Sequence, residues 1–198
     1  VRQEFYSEAT IPDKKFLNIL VTGGSQGASI FSRLTPDLLA KIKPGYLSRI
    51  KLVQQVRAED REPLDLALSS YKINKRLEPF FTNMADEMIN SDLVIARSGA
   101  STIAELIAIK KPSIFIPYPH AMDNHQYHNA KELEGIGVSF ILDQDKLDTD
   151  KLASFIEQAI EDRAVLDEMS AKYQDHLQYT PIESITNLIN EYNVNITP

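Results

Sequence analysis

The sequence predicts an α/β protein built on one doubly wound parallel sheet of about six strands, with a helical tail at its C-terminal end. Three observations lead to this fold class. Short apolar runs alternate with helical patterns through most of the chain, two of these runs open into glycine-containing turns that lead into helices, and only helical patterns follow Leu142. Alternation of this kind is typical of parallel sheets covered by helices on both faces.

The sequence predicts six strands, most of them short apolar runs of the kind that lie inside a sheet. They are Phe16 to Thr22, Ile50 to Val56, Lys75 to Phe80, Leu93 to Ala96, Ser113 to Ile116 and Val138 to Leu142. Ligands of such Rossmann-like sheets bind beyond the carboxyl ends of the strands, so we expect the loops at those ends to carry the chemistry. These loops are Gly23 to Ala28, Phe81 to Asn83, Arg97 to Ser101 and Pro117 to His125.

Apolar residues at helical spacing predict five helices between the strands. They are Ser29 to Ile42, Glu62 to Tyr71, Met84 to Asn90, Thr102 to Ile109 and Gln126 to Glu134. Three more amphipathic patterns predict a helical tail over residues 143–198. They are Asp148 to Asp162, Ala164 to Leu177 and Ile182 to Tyr192. Residues 1–14 are polar, contain Pro12 and are expected to form a linker.

The composition excludes several classes of protein. With 198 residues, of which 43% are hydrophobic, the chain is expected to form one domain, residues 1–198. A net charge of −7 argues against general affinity for nucleic acid, because its phosphates demand clustered Lys and Arg. The absence of cysteine excludes disulfides and thiolate metal sites, and no apolar run has the length of a membrane span.

The segment Asp92 to Glu105 runs from a predicted strand through a turn of small residues, Ser98 to Ser101, into a predicted helix. Small residues let a ligand approach the backbone. The first N–H groups of a helix have no partner within the helix, and they point at whatever occupies such a turn. The segment therefore predicts a site for a phosphate or diphosphate.

Thr102 and Glu105 have two interpretations. The pattern Thr-x-x-Glu is that of a capping box, in which each side chain bonds a backbone N–H of the other residue. Alternatively, Glu105 accepts hydrogen bonds from two ribose hydroxyls, as acidic residues do in dinucleotide sites. Local spacing leaves both interpretations open.

The first predicted strand opens into Gly23-Gly-Ser-Gln-Gly-Ala28, which lacks the G-x-G-x-x-G spacing of a dinucleotide site. In one interpretation, the glycines are needed only because the turn between strand and helix is tight. In the other, Ser25 and Gln26 contact phosphate or sugar.

The loop Pro117 to Ala130 is rich in polar, ring-bearing side chains. Its histidines match no zinc spacing, so no metal is expected, and hydrogen bonding to sugar hydroxyls by His125 and Gln126 is favoured. Asn129 is expected to brace the loop, and Asp123 is a candidate cap for the helix that follows.

Taken together, four segments resemble, in order and spacing, the C-terminal half of the MurG family of bacterial glycosyltransferases. The resemblance runs from Arg2 to about Leu142, and the helical tail fits it in layout. His125 stands where the family often has glutamine, and the preceding loop is one residue longer. The four segments are Gly23 to Ala28, Phe81 to Met84, Asp92 to Glu105 with its Arg-Ser-Gly-Ala core, and His125 to Ala130.

The resemblance implies a fold and an activity. Members of this family have a two-domain GT-B fold and move N-acetylglucosamine (GlcNAc) from UDP-GlcNAc to lipid I, which makes lipid II for peptidoglycan. Val1-Arg2 resembles the start of their second half and lacks a methionine, so we expect a UDP-GlcNAc-binding domain excised from a longer protein. The acceptor domain, which contacts lipid I, is then absent, and the isolated domain is inactive although the full-length protein is a hexosyltransferase.

The resemblance also implies a set of donor contacts, with no catalytic residue, metal or cofactor in this half. Arg2 is expected near the nucleotide and the Phe81 backbone against the uracil. Glu105 takes the ribose hydroxyls. The remaining contacts are Ser25 and Gln26 with the diphosphate, Ala100, Ser101 and Thr102 with phosphate and sugar, and His125 and Gln126 with the GlcNAc hydroxyls.

In the implied reaction the lipid I hydroxyl displaces UDP directly at the anomeric carbon, while Ser25 and the helix that begins near Ala100 stabilise the charge of the leaving group. The full-length protein is expected on the cytoplasmic face of the inner membrane as a peripheral protein without membrane insertion by this domain, with roles in cell wall biogenesis, cell division and cell shape. Two alternatives stay open: a fragment of a UDP-GlcNAc 2-epimerase, and a non-catalytic donor-binding subunit of a two-chain GlcNAc transferase.

Overall fold

The computed structural model describes Phe5, residues 15–24 and residues 27–176. These residues contain six strands, which are β1 (Leu17–Thr22), β2 (Ile50–Gln55), β3 (Asn74–Glu78), β4 (Leu93–Ala96), β5 (Ser113–Phe115) and β6 (Ser139–Ile141). The strands form one parallel sheet in the order β3-β2-β1-β4-β5-β6. The predicted fold class is confirmed, and each strand lies within two residues of its predicted bounds.

The central strands are apolar because both faces of the sheet are covered. All four residues of β4 are buried. In β1, Ile19 and Val21 belong to one hydrophobic core and Leu20 to another. Burying one such side chain stabilises the fold by roughly 1.5–3 kcal/mol, so these strands hold the loops that follow them firmly.

Eight helices are described: α1 (Ser29–Lys41), α2 (Pro44–Leu47), α3 (Ala58–Ala67), α4 (Met84–Asn90), α5 (Ala100–Ala108), α6 (His125–Gly135), α7 (Thr149–Glu161) and α8 (Ala164–His176). The larger core receives apolar side chains from α1, α3 and α7, and the smaller core from α4, α5 and α6. Helix α8 contributes to both, with Met169 in the larger core and Tyr173 in the smaller.

The helices differ from the prediction by more than one residue in three places. Helix α3 begins and ends four residues early, and its first turn contains Glu59 and Asp60, whose charges suit the positive end of a helix. Helix α5 begins at Ala100 instead of Thr102. The short α2 was not predicted, although Pro44 occupies the first position, where proline is favoured.

The first two predicted helices of the tail are confirmed as α7 and α8. The Asp148 side chain caps α7 by accepting a hydrogen bond from the Lys151 N–H at 2.9 Å. The predicted linker and the predicted helix Ile182 to Tyr192 lie outside the described residues. Within the described part of the chain, every helix is too short or too polar to cross a bilayer.

The strand order determines where a ligand can bind. From β1 the chain builds outward through β2 and β3, and then returns to place β4 on the other side of β1. Loops after two such neighbouring strands leave a crevice between them at the carboxyl edge of the sheet. Here those loops are residues 23–28 and residues 97–99.

Candidate functional site

A cleft of about 570 Å³ opens at the carboxyl ends of the strands. Both glycine-containing turns reach it, and so do the first turns of α1 and α5. The described residues that line it are Gly23, Gly24, Gly27, Ala28, Ser29, Ile30, Arg33, Arg57, Arg97, Gly99, Ser101, Thr102, Tyr118, Gln126 and Gln144. The crevice expected from the strand order is therefore present as an open cleft.

The turn after β1 needs its glycines for geometric reasons. A Cβ on Gly23 would lie 2.3 Å from the Ala28 nitrogen, and Gly24 and Gly27 have φ values of +79° and +65°. Their conformations therefore account for these glycines without a ligand. Helix α1 begins after Ala28, which gives it no side-chain cap, so the first N–H groups of this helix receive no cap acceptor.

The turn after β4 leads into α5 in a similar way. Gly99 is the N-cap and α5 begins at Ala100, again with no side-chain cap. Thr102 is thus the third residue of the helix, where it cannot act as the N-cap of a capping box. That interpretation of Thr102 and Glu105 is wrong, and the positive end of α5 lies at the cleft with Ser101 and Thr102 on its wall.

Three arginines supply the charge of the cleft. The Arg57 Nε donates to the Asp60 carboxylate at 2.9 Å, and this hydrogen bond raises the pKa of Arg57. Burial lowers the pKa of Arg97, but a guanidinium stays protonated at neutral pH. Arg33 is exposed and has no hydrogen-bond or ion-pair partner among the described residues.

The cleft differs in charge from the rest of the chain. None of the described residues that line it is Asp or Glu, although the chain carries a net charge of −7. Arg57 is paired with Glu59 and Asp60, so the net positive charge of the cleft comes from two uncapped helix starts and from the guanidinium groups of Arg33 and Arg97. Such an arrangement attracts an anion.

The segment between β5 and α6 forms another side of the cleft. The Gln126 Oε1 accepts a hydrogen bond from the Tyr118 N–H at 3.0 Å, and the Ser98 hydroxyl donates to the Gln126 carbonyl at 2.7 Å. His125 is exposed, and its Nδ1 lies 2.7 Å from the Met122 carbonyl oxygen. Local hydrogen bonds thus fix the side chains predicted to contact the sugar.

Two predictions for this segment have different outcomes. The Asn129 amide donates to the Ser98 carbonyl at 3.1 Å, which joins α6 to the turn after β4, so the bracing of the loop Pro117 to Ala130 by Asn129 stays a prediction. Asp123 does not cap α6, because the N-cap is Asn124, and both residues have left-handed backbones with φ of +50° and +53°. In the described residues, no three His, Asp or Glu side chains come together as a possible metal site.

The structure brings some of the predicted site residues together. Ser101, Thr102 and Gln126 line the cleft. The other described members are not among the lining residues: Ala100 is exposed at the start of α5, Glu105 is half-buried one turn further on, Phe81 is buried after β3 and His125 is exposed. Arg2, Ser25 and Gln26 lie outside the described residues, and all of these roles stay predictions.

Sequence reasoning named none of six polar or aromatic lining residues as a contact, and one of them is Ser29, the first residue of α1. Four of them, Arg57, Arg97, Tyr118 and Gln144, follow strands within three residues, so their position at the carboxyl ends was a usable signal. Arg33 comes from the second turn of α1, and only the packing of that helix brings it to the cleft.

Fold and cleft together have the layout of nucleotide-binding domains, with a cleft suited to an anion at the switch point of a Rossmann-like sheet. The family model for the glycosyltransferase family 28 C-terminal domain matches residues 18–185. The chain belongs to this family.

Two relatives carry the name "UDP-N-acetylglucosamine--N-acetylmuramyl-(pentapeptide) pyrophosphoryl-undecaprenol N-acetylglucosamine transferase". The chain is 37% identical over 154 residues to the one from Rhizobium etli and 42% identical over 159 residues to the one from Rickettsia bellii. The matches cover 78% and 80% of this chain, but 41% and 44% of the relatives. The chain thus spans less than half the length of these curated relatives.

One solved structure agrees with the family assignment, and a second shows the same fold. MurG of Acinetobacter baumannii superposes with a TM-score of 0.76 at 28% identity, covering 93% of this chain and 55% of that chain. The UDP-GlcNAc 2-epimerase of Neisseria meningitidis reaches 0.55 at 17% identity, covering 85% and 42%, and this likeness shows the fold alone. The predicted GT-B half and the resemblance to the C-terminal half of MurG are confirmed.

Proposed function

We propose that the chain is the donor-binding domain of a glycosyltransferase that moves GlcNAc from UDP-GlcNAc to lipid I and so forms lipid II of peptidoglycan. The observation that carries the proposal is the charge of the cleft, where two helices begin without side-chain caps and no described lining residue is acidic. A diphosphate suits such a cavity. The names of the relatives supply the sugar nucleotide and the lipid-linked acceptor.

In this proposal the diphosphate lies between the two turns. Ser25 and Gln26 approach it from the turn after β1, and Ala100, Ser101 and Thr102 approach it from the start of α5. Support comes from the positions of Ser101 and Thr102 on the cleft wall. Helix N–H groups in this position bind phosphate oxygens without needing a specific side chain.

The nucleoside and the sugar lie on either side of the diphosphate. We assign the uracil edge to the Phe81 backbone, the ribose hydroxyls to Glu105 and a contact with the nucleotide to Arg2. His125 and Gln126 then take the GlcNAc hydroxyls. Gln126 lines the same cleft as the α5 start, which supports the sugar assignment.

The reaction proposed for the whole protein is a direct displacement. The oxygen of the lipid I hydroxyl attacks the anomeric carbon and loses its proton to a base outside this chain, the bond from this carbon to the phosphate oxygen of UDP breaks, and UDP leaves with the electron pair. The positive end of α5 and Ser25 stabilise the charge that develops on the leaving phosphate. The contacts to lipid I belong to the part of the relatives that this chain does not span.

We further propose that the whole protein works in the cytoplasm, as a peripheral protein on the inner face of the membrane that holds lipid I. Its product would then serve cell wall growth and, through it, cell division and cell shape. Fractionation of cells that express the full-length protein tests this location, and recovery outside the cytoplasmic and membrane fractions would contradict it.

Calorimetric titration of the 198-residue chain with UDP-GlcNAc tests the function. We expect saturable binding that Arg33→Gln weakens about fivefold, because losing one exposed charge near a phosphate costs about 1 kcal/mol. Arg61→Gln is the matched control, since it removes an equal charge from a separate groove between α3 and β3. The absence of binding at millimolar UDP-GlcNAc would contradict the proposal.

The two alternatives make different predictions. An epimerase converts UDP-GlcNAc to UDP-ManNAc, which NMR of the incubated nucleotide detects, and we expect no such product from the full-length protein. A non-catalytic subunit would bind the donor but need a second chain for transfer. Lipid II formation by the full-length protein alone would exclude that alternative.

A further inference from the structure

Arg97, the first residue after β4, lies half-buried at the cleft. Its Nη1 donates to the carbonyl oxygens of Ile116 at 2.7 Å and of Pro117 at 2.9 Å, the two residues directly after β5. Its Nη2 donates to the Gln144 Oε1 at 2.6 Å, in the segment after β6. One guanidinium thus joins the ends of three neighbouring strands.

Two aromatic rings enclose the same guanidinium. The Arg97 Cζ lies 5.5 Å from the centroid of the Tyr118 ring and 5.7 Å from that of Phe31 in α1. These distances are in the range of cation–π attraction. The partners of Arg97 are neutral carbonyls, an amide and two rings, so no carboxylate of the described residues lies at hydrogen-bond distance to cancel its charge.

These contacts lead directly to Gln126. The backbone N–H of Tyr118, the residue after Pro117, donates to the Gln126 Oε1 at 3.0 Å. Ser98, next to Arg97 in the chain, donates its hydroxyl to the Gln126 carbonyl at 2.7 Å. The direction of the Gln126 side chain therefore depends on the position of Tyr118 and of the turn after β4.

We propose that Arg97 is the positioning residue that selects the sugar of the donor, acting through Tyr118 and Gln126. This inference rests on the function proposed above. Arginine suits the task because its planar fork reaches several acceptors at once in fixed directions, whereas a lysine ammonium is a point charge on a flexible stem. A residue in this role affects recognition of the sugar more than recognition of UDP.

The test compares three ligands, UDP, UDP-GlcNAc and its 4-epimer UDP-GalNAc, by calorimetry on the wild type and on Arg97→Lys. The lysine keeps the positive charge, so we expect the affinity for UDP to change by less than about twofold. The preference for UDP-GlcNAc over UDP-GalNAc should fall about threefold or more, as expected when one oriented hydrogen bond is lost. Arg61→Lys is the control, since Arg61 also donates to a backbone carbonyl, that of Leu77, but outside the cleft.

A double-mutant cycle with Gln126→Ala shows whether Arg97 acts through Gln126. We expect Arg97→Lys to add little to the loss of preference that Gln126→Ala causes alone. Gln144→Ala removes one hydrogen-bond acceptor of the Arg97 guanidinium and should also lower the preference for UDP-GlcNAc over UDP-GalNAc. If Arg97→Lys does not fold, the Gln144→Ala variant provides the test.

Three outcomes would overturn the inference. They are a wild type that binds the two epimers equally, an Arg97→Lys variant that keeps the wild-type preference, and an equal loss of affinity for all three ligands, which would indicate direct contact with the diphosphate. A wild type that binds none of the ligands would instead refute the proposed function itself.

Discussion

Glu105 is the residue at which the sequence left two interpretations open. The start of α5 at Ala100 excludes the capping box, because Gly99 holds the N-cap position and Thr102 lies inside the helix. Glu105 is half-buried in the second turn. Its proposed contact with the ribose hydroxyls is therefore the interpretation to test.

Glu105→Gln should weaken binding of UDP while leaving the melting temperature nearly unchanged. A hydrogen bond to a charged group contributes roughly 1.5–3 kcal/mol, which corresponds to a loss of about tenfold or more. UDP without the 2′-hydroxyl should bind the wild type less tightly than UDP does. The difference in affinity between these two ligands should be smaller in the Glu105→Gln variant. Equal binding of both ligands by wild type and variant would refute the ribose contact.

Lys111 gives a second prediction at the scale of one residue. Its ammonium donates to the carbonyl oxygens of Ile89 and Ser91, away from the cleft, and burial lowers the pKa of Lys111 from 10.5 to about 8. The nearby Asp92 opposes this shift. Since the folded pKa lies below the unfolded one, the unfolded chain binds more protons between these values, and stability rises with pH there.

The wild type minus Lys111→Met difference in unfolding free energy should therefore increase between pH 7 and pH 9.5, by about 2 kcal/mol at most. Urea unfolding of both proteins at the two pH values measures it. The comparison removes the contributions of other titrating groups, which the two proteins share. A difference that stays constant or decreases would show that the pKa of Lys111 is not lowered.

At the scale of elements, the turn between β1 and α1 depends on backbone contacts that a methyl group would break. Gly23→Ala places a Cβ 2.3 Å from the Ala28 nitrogen, so the turn must shift, at a cost of roughly 1–3 kcal/mol. UDP binding should weaken with it, because the same turn lines the cleft. Urea unfolding and calorimetry measure the two effects.

Gly99→Ala is the matched control in the other turn. Gly99 has φ of −63° and ψ of 148°, which alanine adopts, and no heavy atom lies within 4 Å of its Cβ position. We expect its unfolding free energy to change by less than about 1 kcal/mol. Equal destabilisation by the two substitutions would contradict the steric account of the first turn.

The contrast between these elements shows what a sequence can predict. The strand β4 could be predicted because uninterrupted burial leaves an apolar run in the sequence. The turn between β4 and α5 could be predicted because small residues separate that run from a helical pattern. The start of α5 was misjudged because Thr102 and Glu105 imitate a capping box. The hydrogen bonds of Arg97 join three strand ends, so they depend on tertiary packing that no local pattern contains.

At the scale of the whole molecule, binding and transfer are expected to separate. The 198-residue chain should bind UDP-GlcNAc but form no lipid II from lipid I, since it spans less than half the length of the curated relatives it matches. Mass spectrometry of the lipid product measures transfer, with the full-length relative from Rickettsia bellii as the positive control. Lipid II formed by the chain alone would refute the claim that the chain binds the donor without transferring GlcNAc.

The central claim is that the cleft between the turns after β1 and β4 binds a nucleoside diphosphate. Calorimetry with uridine, UMP and UDP, at low and high salt, tests it most directly. We expect affinity to rise with each phosphate, and we expect the gain from the second phosphate to shrink in high salt, because salt screens the charges at the cleft. UDP that binds no more tightly than uridine would contradict the account.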